Sequence, residues 1–172
     1  MKNNIILCGF MGCGKSTVGT LLAEKLNFSF VDSDKVIEQR EKMTVNEIFL
    51  NHGEEYFRAI ETAVINELCK LDSVVIATGG GAILNPKNAE ALRQSGTVFF
   101  LDVTPETVLE RLKNDTSRPL LQRKDKESAI RELMNIRKPK YIQNSHFTVD
   151  GNRQHDAISE DIIELTKSPK NI

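Results

Sequence analysis

One run constrains this chain more than any other: Gly9-Phe10-Met11-Gly12-Cys13-Gly14-Lys15-Ser16 fits G-x-x-x-x-G-K-[ST] at every fixed position. An apolar run, Ile5–Cys8, precedes it. Behind it Val18, Leu21, Leu22 and Leu26 recur at helical spacing. The context is therefore strand, loop, helix. Glycines let such a loop curl until backbone N–H groups converge on phosphate oxygens. The helix beginning near Gly14 adds the positive end of its dipole at the same place. Lys15 is expected to reach the β- and γ-phosphates and Ser16 to ligate Mg²⁺, with Gly12, Cys13, Gly14 and Thr17 completing the ATP-binding loop.

The rest of the chain alternates β-rich runs with helical stretches, which predicts an α/β fold. The strands are read as Ile5–Cys8, Phe30–Asp32, Val74–Ala77, Val98–Asp102 and Phe147–Asp150. The first, third and fourth are nearly continuous apolar runs, as expected where helices cover both faces of a parallel sheet. Phe57, Ile60, Val64, Leu68 and Leu71 predict a longer helix, and Thr104-Pro105-Glu106 reads as an N-cap with proline at the first helical position. Leu112 to Lys126 is polar, basic and interrupted by a proline; a connector of that length predicts a mobile lid.

Residues 1–172 are expected to form a single domain, with the lid at about 112–126. Hydrophobic residues make up 40%, enough for a core without metals or disulfides. A net charge of −1 and a pI near 6.3 supply no basic field for nucleic acid or an anionic membrane, so a few local cations must hold any anionic ligand. Cys8, Cys13 and Cys69 are an odd number without C-x-x-C spacing, and read as free thiols of a reducing compartment. The apolar run after Met1-Lys2 is too short for a signal segment or membrane span, so the expected location is the cytoplasm.

No N-K-x-D guanine-reading motif is present, and a short chain with its own basic lid points to a small-molecule kinase that closes to exclude water. The marks that follow narrow this further. They are Asp32-Ser33-Asp34, Phe57-Arg58 leading to Glu61, Gly79-Gly80-Gly81-Ala82, Arg118-Pro119-Leu120-Leu121 and Arg137-Lys138-Pro139-Lys140-Tyr141. In this order and spacing the chain resembles the shikimate kinase family from Ile5 to about Asp150.

The resemblance implies a P-loop NTPase fold with a five-stranded parallel sheet, the strand before the loop lying between those starting at Val74 and Val98. It implies transfer of the ATP γ-phosphate to the shikimate 3-hydroxyl, on the route to chorismate and the aromatic amino acids. It also implies Mg²⁺, a monomer, and neither nucleic acid nor membrane as partner. Lys15, Asp34 and Arg118 would be the catalytic residues. Asp32 would join Ser16 near the metal, and Asp34 would orient the attacking oxygen and could receive its proton, unless it caps the helix that follows. Arg58 and Arg137 would clamp the acceptor carboxylate, for which a guanidinium fork is well shaped. Gly80 and Gly81 would lie against the substrate, with Gly79 serving the turn. Arg118 would stabilise charge on the transferring group, and Arg111 would stack on adenine.

Glu61, three residues after Arg58, could steady that fork. Phe49 and Phe57 would wall the acceptor pocket or pack in the core, and Arg123 reads as a solvated lid charge. The chain departs from the family after its last strand, where 149–156 lack the usual proline of the adenine loop. His52, His146 and His155 form no cluster and are read as incidental. Cys13, beside Lys15 at a helix N-terminus, is expected to be the most reactive thiol. The competing readings are a gluconate or nucleoside monophosphate kinase, and a nucleotide-binding regulator that has lost catalysis.

Overall fold

The computed structural model describes residues 3–115 and 122–167. Among them, five parallel strands form one sheet in the order β2-β3-β1-β4-β5. They are β1 (Asn4–Cys8), β2 (Ser29–Asp32), β3 (Val74–Ala77), β4 (Gly96–Asp102) and β5 (Phe147–Asp150). The strand before the glycine loop is flanked by β3 and β4, as expected. The sequence reading began β1, β2 and β4 one or two residues late, because polar or small residues there broke the apolar runs.

Seven helices accompany the strands among the described residues: α1 (Lys15–Leu26), α2 (Ser33–Glu41), α3 (Val45–Leu68), α4 (Pro86–Ser95), α5 (Pro105–Arg111), α6 (Lys126–Asn144) and α7 (His155–Lys167). Period-two alternation divides the strand side chains between two cores. Ile6 and Cys8 of β1 join Ile76, Val98 and Phe100 beneath α3, α4 and the end of α6. Ile5 and Leu7 join Val75, Phe99 and Val149 beneath α1, α5 and α7. Helices thus cover both faces, and the central strands β1, β3 and β4 are buried on both, which explains their continuous apolar character.

Capping chemistry sets several helix starts. Asp32 accepts from the Asp34 and Lys35 N–H groups, Thr44 and Glu47 form a capping box at α3, and Thr104 caps α5 just before Pro105. The long helix differs from its sequence reading. It begins at Val45 rather than near Phe57, breaks at Gly53 (φ 82°, ψ 176°) and ends at Leu68. Leu71 therefore lies beyond it, 44% exposed rather than on the apolar stripe. No helix among the described residues is long and apolar enough to cross a membrane.

Candidate active site

The carboxyl ends of β1, β2 and β3 meet above one cavity of about 500 Å³. Crevices of this kind, where strand order reverses, are where ligands bind in open α/β sheets. One wall is the glycine loop, with Gly12, Gly14, Lys15, Ser16 and Thr17 on the lining. Gly12 and Gly14 have φ of 72° and 98°, a region that glycine enters without strain. Gly14 ends the loop and is the N-cap of α1, so the free N–H groups of the first turn open onto the cavity. Lys15 Nζ donates to the Gly9 and Phe10 carbonyl oxygens at 2.9 and 3.0 Å, which holds the ammonium across the loop.

Two oxygen donors stand together at the next edge: Ser16 Oγ donates to Asp32 Oδ2 at 2.9 Å. A hydroxyl beside a carboxylate is a hard donor set and fits Mg²⁺. Among the described residues no three His, Cys, Asp or Glu side chains converge as a metal cage. A cation bound here would complete its shell with water and phosphate oxygens, as Mg²⁺ ordinarily does. The capping role considered for Asp34 falls to Asp32, which holds the α2 N-terminus with its other oxygen.

The opposite wall carries Asp34, Arg58, Glu61 and Arg137 with the glycine run 79–81. Arg58 Nη1 donates to Glu61 Oε2 at 2.7 Å, one turn along α3, as the spacing suggested. Glu61 is only 1% exposed; burial pushes its carboxyl above the ordinary range, while Arg58 pulls it back down. The Arg58 guanidinium also lies 5.2 Å from the Phe57 ring centroid and 6.0 Å from that of Phe49. Phe57 lines the cavity, and Phe49 supports it at 4.5 Å between centroids. Arg137 approaches from α6, its guanidinium 5.9 Å from the Phe10 ring centroid.

The glycines here are needed for space. A Cβ on Gly79 would lie 2.5 Å from Asp34 Oδ1, and one on Gly81 would lie 2.6 Å from Arg58 Nη1. Gly79 therefore makes room for a carboxylate beyond any service to the turn. A Cβ on Gly80 would find no atom closer than 3.6 Å, which leaves that face of the backbone open to the cavity.

Two features escaped the sequence. His155, read as incidental, lines the cavity at the start of α7. Its Nε2 is buried without a hydrogen-bond partner and would lie 2.9 Å from a Cβ on Gly14. Burial, and then the charge of Arg111, hold its imidazole below the ordinary pKa. Arg111 binds the Gly12, Cys13 and Gly151 carbonyls, tying the glycine loop to the β5–α7 turn. His146 is structural, its Nδ1 accepting from the Val98 N–H at 2.9 Å.

Cys13 corrects an expectation. Its side chain turns into the core with 0% exposure, while Cys69 is half-buried at the end of α3. The loop must present its backbone outward, so the Cys13 side chain points inward. Arg118 and lid residues 116–121 lie outside the described residues. The described flank includes Arg123, which pairs with Asp125 at 2.7 Å on the exposed surface.

The loop, its following lysine and serine, and their place on the central strand define the class, a P-loop nucleotide-binding fold. The family model for shikimate kinase matches residues 11–167. A shikimate kinase of Caldicellulosiruptor saccharolyticus is 50% identical over 147 residues, covering 86% of this chain and 85% of the relative. A solved structure of a shikimate kinase of Acinetobacter baumannii, described as a complex with shikimate, superposes with a TM-score of 0.91 at 42% identity. That match covers 96% of this chain and 93% of the other. A gluconokinase of Sinorhizobium meliloti, 16% identical with a TM-score of 0.57 and coverages of 96% and 91%, shares the fold alone. The chain belongs to the shikimate kinase family.

Proposed function

We propose that this chain transfers the γ-phosphoryl group of MgATP to the 3-hydroxyl of shikimate. The observation that carries the reading is a single cavity whose one wall is a phosphate loop and whose other wall holds Arg58, Arg137 and Asp34. The acceptor carboxylate is held by the two guanidinium groups, which leaves its ring hydroxyls toward Asp34. The 3-oxygen attacks the γ-phosphorus, the bond to the β–γ bridging oxygen breaks, and ADP leaves. The hydroxyl proton passes to the Asp34 carboxylate. Mg²⁺, held by Ser16 and through water by Asp32, would neutralise charge on the β- and γ-phosphate oxygens. Lys15 binds the same oxygens, and Arg118 stabilises the charge that develops on the transferring group. Gly12, Cys13, Gly14 and Thr17 bind phosphate with backbone N–H groups, Arg111 faces the base, and Gly80 and Gly81 bed the acceptor.

A kinetic split tests these roles. Arg118→Ala is expected to lower kcat by about 10³-fold or more, as for arginine fingers elsewhere, with little change in shikimate KM. Arg137→Ala is expected to raise shikimate KM by roughly 10- to 100-fold with a smaller effect on kcat, since its partner is charged in ground and transition states alike. Arg58→Ala is a poorer probe, because it strands Glu61 in the interior without its partner. Normal kcat with raised KM in Arg118→Ala would contradict the assignment.

A further inference from the structure

A second cavity, of about 360 Å³, opens between the carboxyl ends of β4 and β5 and the middle of α6. It shares no lining residue with the cavity described above. Its volume is within the range of small-molecule sites, and it lies at the same edge of the sheet, where strand ends and loops create crevices. Phe10, Phe100, Leu101 and Val103 form a buried apolar floor, and Met134 adds a polarisable side wall.

The rim is polar and acidic. Asp102, Asp150 and Lys138 are the charged residues on the lining, two carboxylates against one ammonium. Lys138 pairs with Asp102 at 2.6 Å, so no cation on the lining pairs with Asp150; Arg153, whose charge also acts on Asp150, is itself paired with Asp161. Asp150 is positioned by the Asn152 N–H and Nδ2, which donate to its Oδ1 and hold its carboxyl below the ordinary range. Its second oxygen is available to a donor. An apolar floor under an acidic rim selects a ligand with a compact or aromatic body and a cationic, hydrogen-bonding end.

We propose that this cavity is a second ligand site, for a small aromatic or compact apolar molecule that carries an ammonium group. Its occupant touches Met134 and Lys138 of α6, about one turn before and one residue after Arg137. It also touches Phe10, whose ring lies under the Arg137 guanidinium. Occupancy is thereby felt at the acceptor wall, a consequence that rests on the proposed role of Arg137; binding itself does not.

The four methionines provide the test, because Met134 lines this cavity and Met11 the other. Full-length protein labelled with ¹³C at the methionine methyls is titrated with 2-phenylethylamine and, separately, with its anionic counterpart 3-phenylpropionate. The amine is expected to shift the Met134 methyl with a Kd on the order of 1 mM, as for fragments of this size, and to move Met11 far less. The anion is expected to bind several-fold more weakly. Thr148→Trp, on the exposed rim of the edge strand, fills the mouth and is expected to abolish the shift while leaving the basal activity unchanged. The proposal is overturned if Met134 does not move, if Met11 moves equally, if the anion binds as well, or if Thr148→Trp binds normally. Turnover of shikimate with MgATP is measured on the same preparation and must be found. Should it be absent, the proposed function falls and the second site stands.

Discussion

At the residue scale the decisive property of several side chains is the direction in which the loop turns them. Cys13 has the neighbours that activate a thiol, Lys15 and a helix N-terminus, yet 0% of it meets solvent. Periodicity carries no signal for this inside an irregular loop. Iodoacetamide applied to the native protein is expected to alkylate Cys69 before Cys13 or Cys8, read by mass spectrometry of the peptides. Cys8 is further protected because burial raises its thiol well above the ordinary 9.0. Labelling of Cys13 first would show that the loop opens readily. His155 is a second case. Its folded pKa lies below 6.5, so the unfolded chain binds the proton more readily. Between the folded value and 6.5 stability therefore rises with pH, and it is lost as pH falls through that window. His155→Asn is expected to lose less thermal stability than wild type between about pH 7.5 and 5.5. An unchanged pH dependence of Tm would remove His155 as a contributor.

At the element scale α6 and the glycine run form one unit. Tyr141 Oη donates to the Gly80 carbonyl at 2.6 Å, and Asn144 Nδ2 donates to the Ile83 carbonyl at 2.9 Å. The Tyr141 ring stacks on Phe100, with centroids 5.1 Å apart. The helix that carries Arg137 is thus pinned to the loop that carries Gly80 and Gly81. Tyr141→Phe keeps the ring and removes one hydrogen bond, a loss of about 1–2 kcal/mol in stability. Shikimate KM is expected to rise several-fold with kcat nearly unchanged, as measured by steady-state kinetics. A lower Tm with KM unaltered would reduce Tyr141 to a packing residue. Little of this pinning could be read from the sequence, since Tyr141 and Gly80 are brought together only by tertiary packing. The break at Gly53 was equally hidden, because the apolar pattern continues on both sides of it.

For the whole molecule, the strands and the loop were legible because each rests on a local pattern, whereas the order of the strands in the sheet came from the family resemblance. Apolar runs buried on both faces mark parallel strands, and G-x-x-x-x-G-K-S between strand and helix marks the phosphate end of the sheet. The wall proposed to hold the acceptor was signalled only by the resemblance: Arg58 and Arg137 lie far apart in the chain, and neither is distinctive alone. The structure brings both to one cavity with the loop. The cavity between β4, β5 and α6 left no trace in the sequence, since its lining comes from four separate segments with ordinary strand and helix patterns. The central claim is one reaction on one acceptor. Its most direct test incubates purified protein with MgATP and shikimate, gluconate or AMP, measures ADP release, and locates the new phosphoester by ¹H–³¹P correlation. ADP release that depends on shikimate, with phosphorus coupled to the proton on C3, is the expected result. Turnover of gluconate or AMP with shikimate untouched would contradict the account.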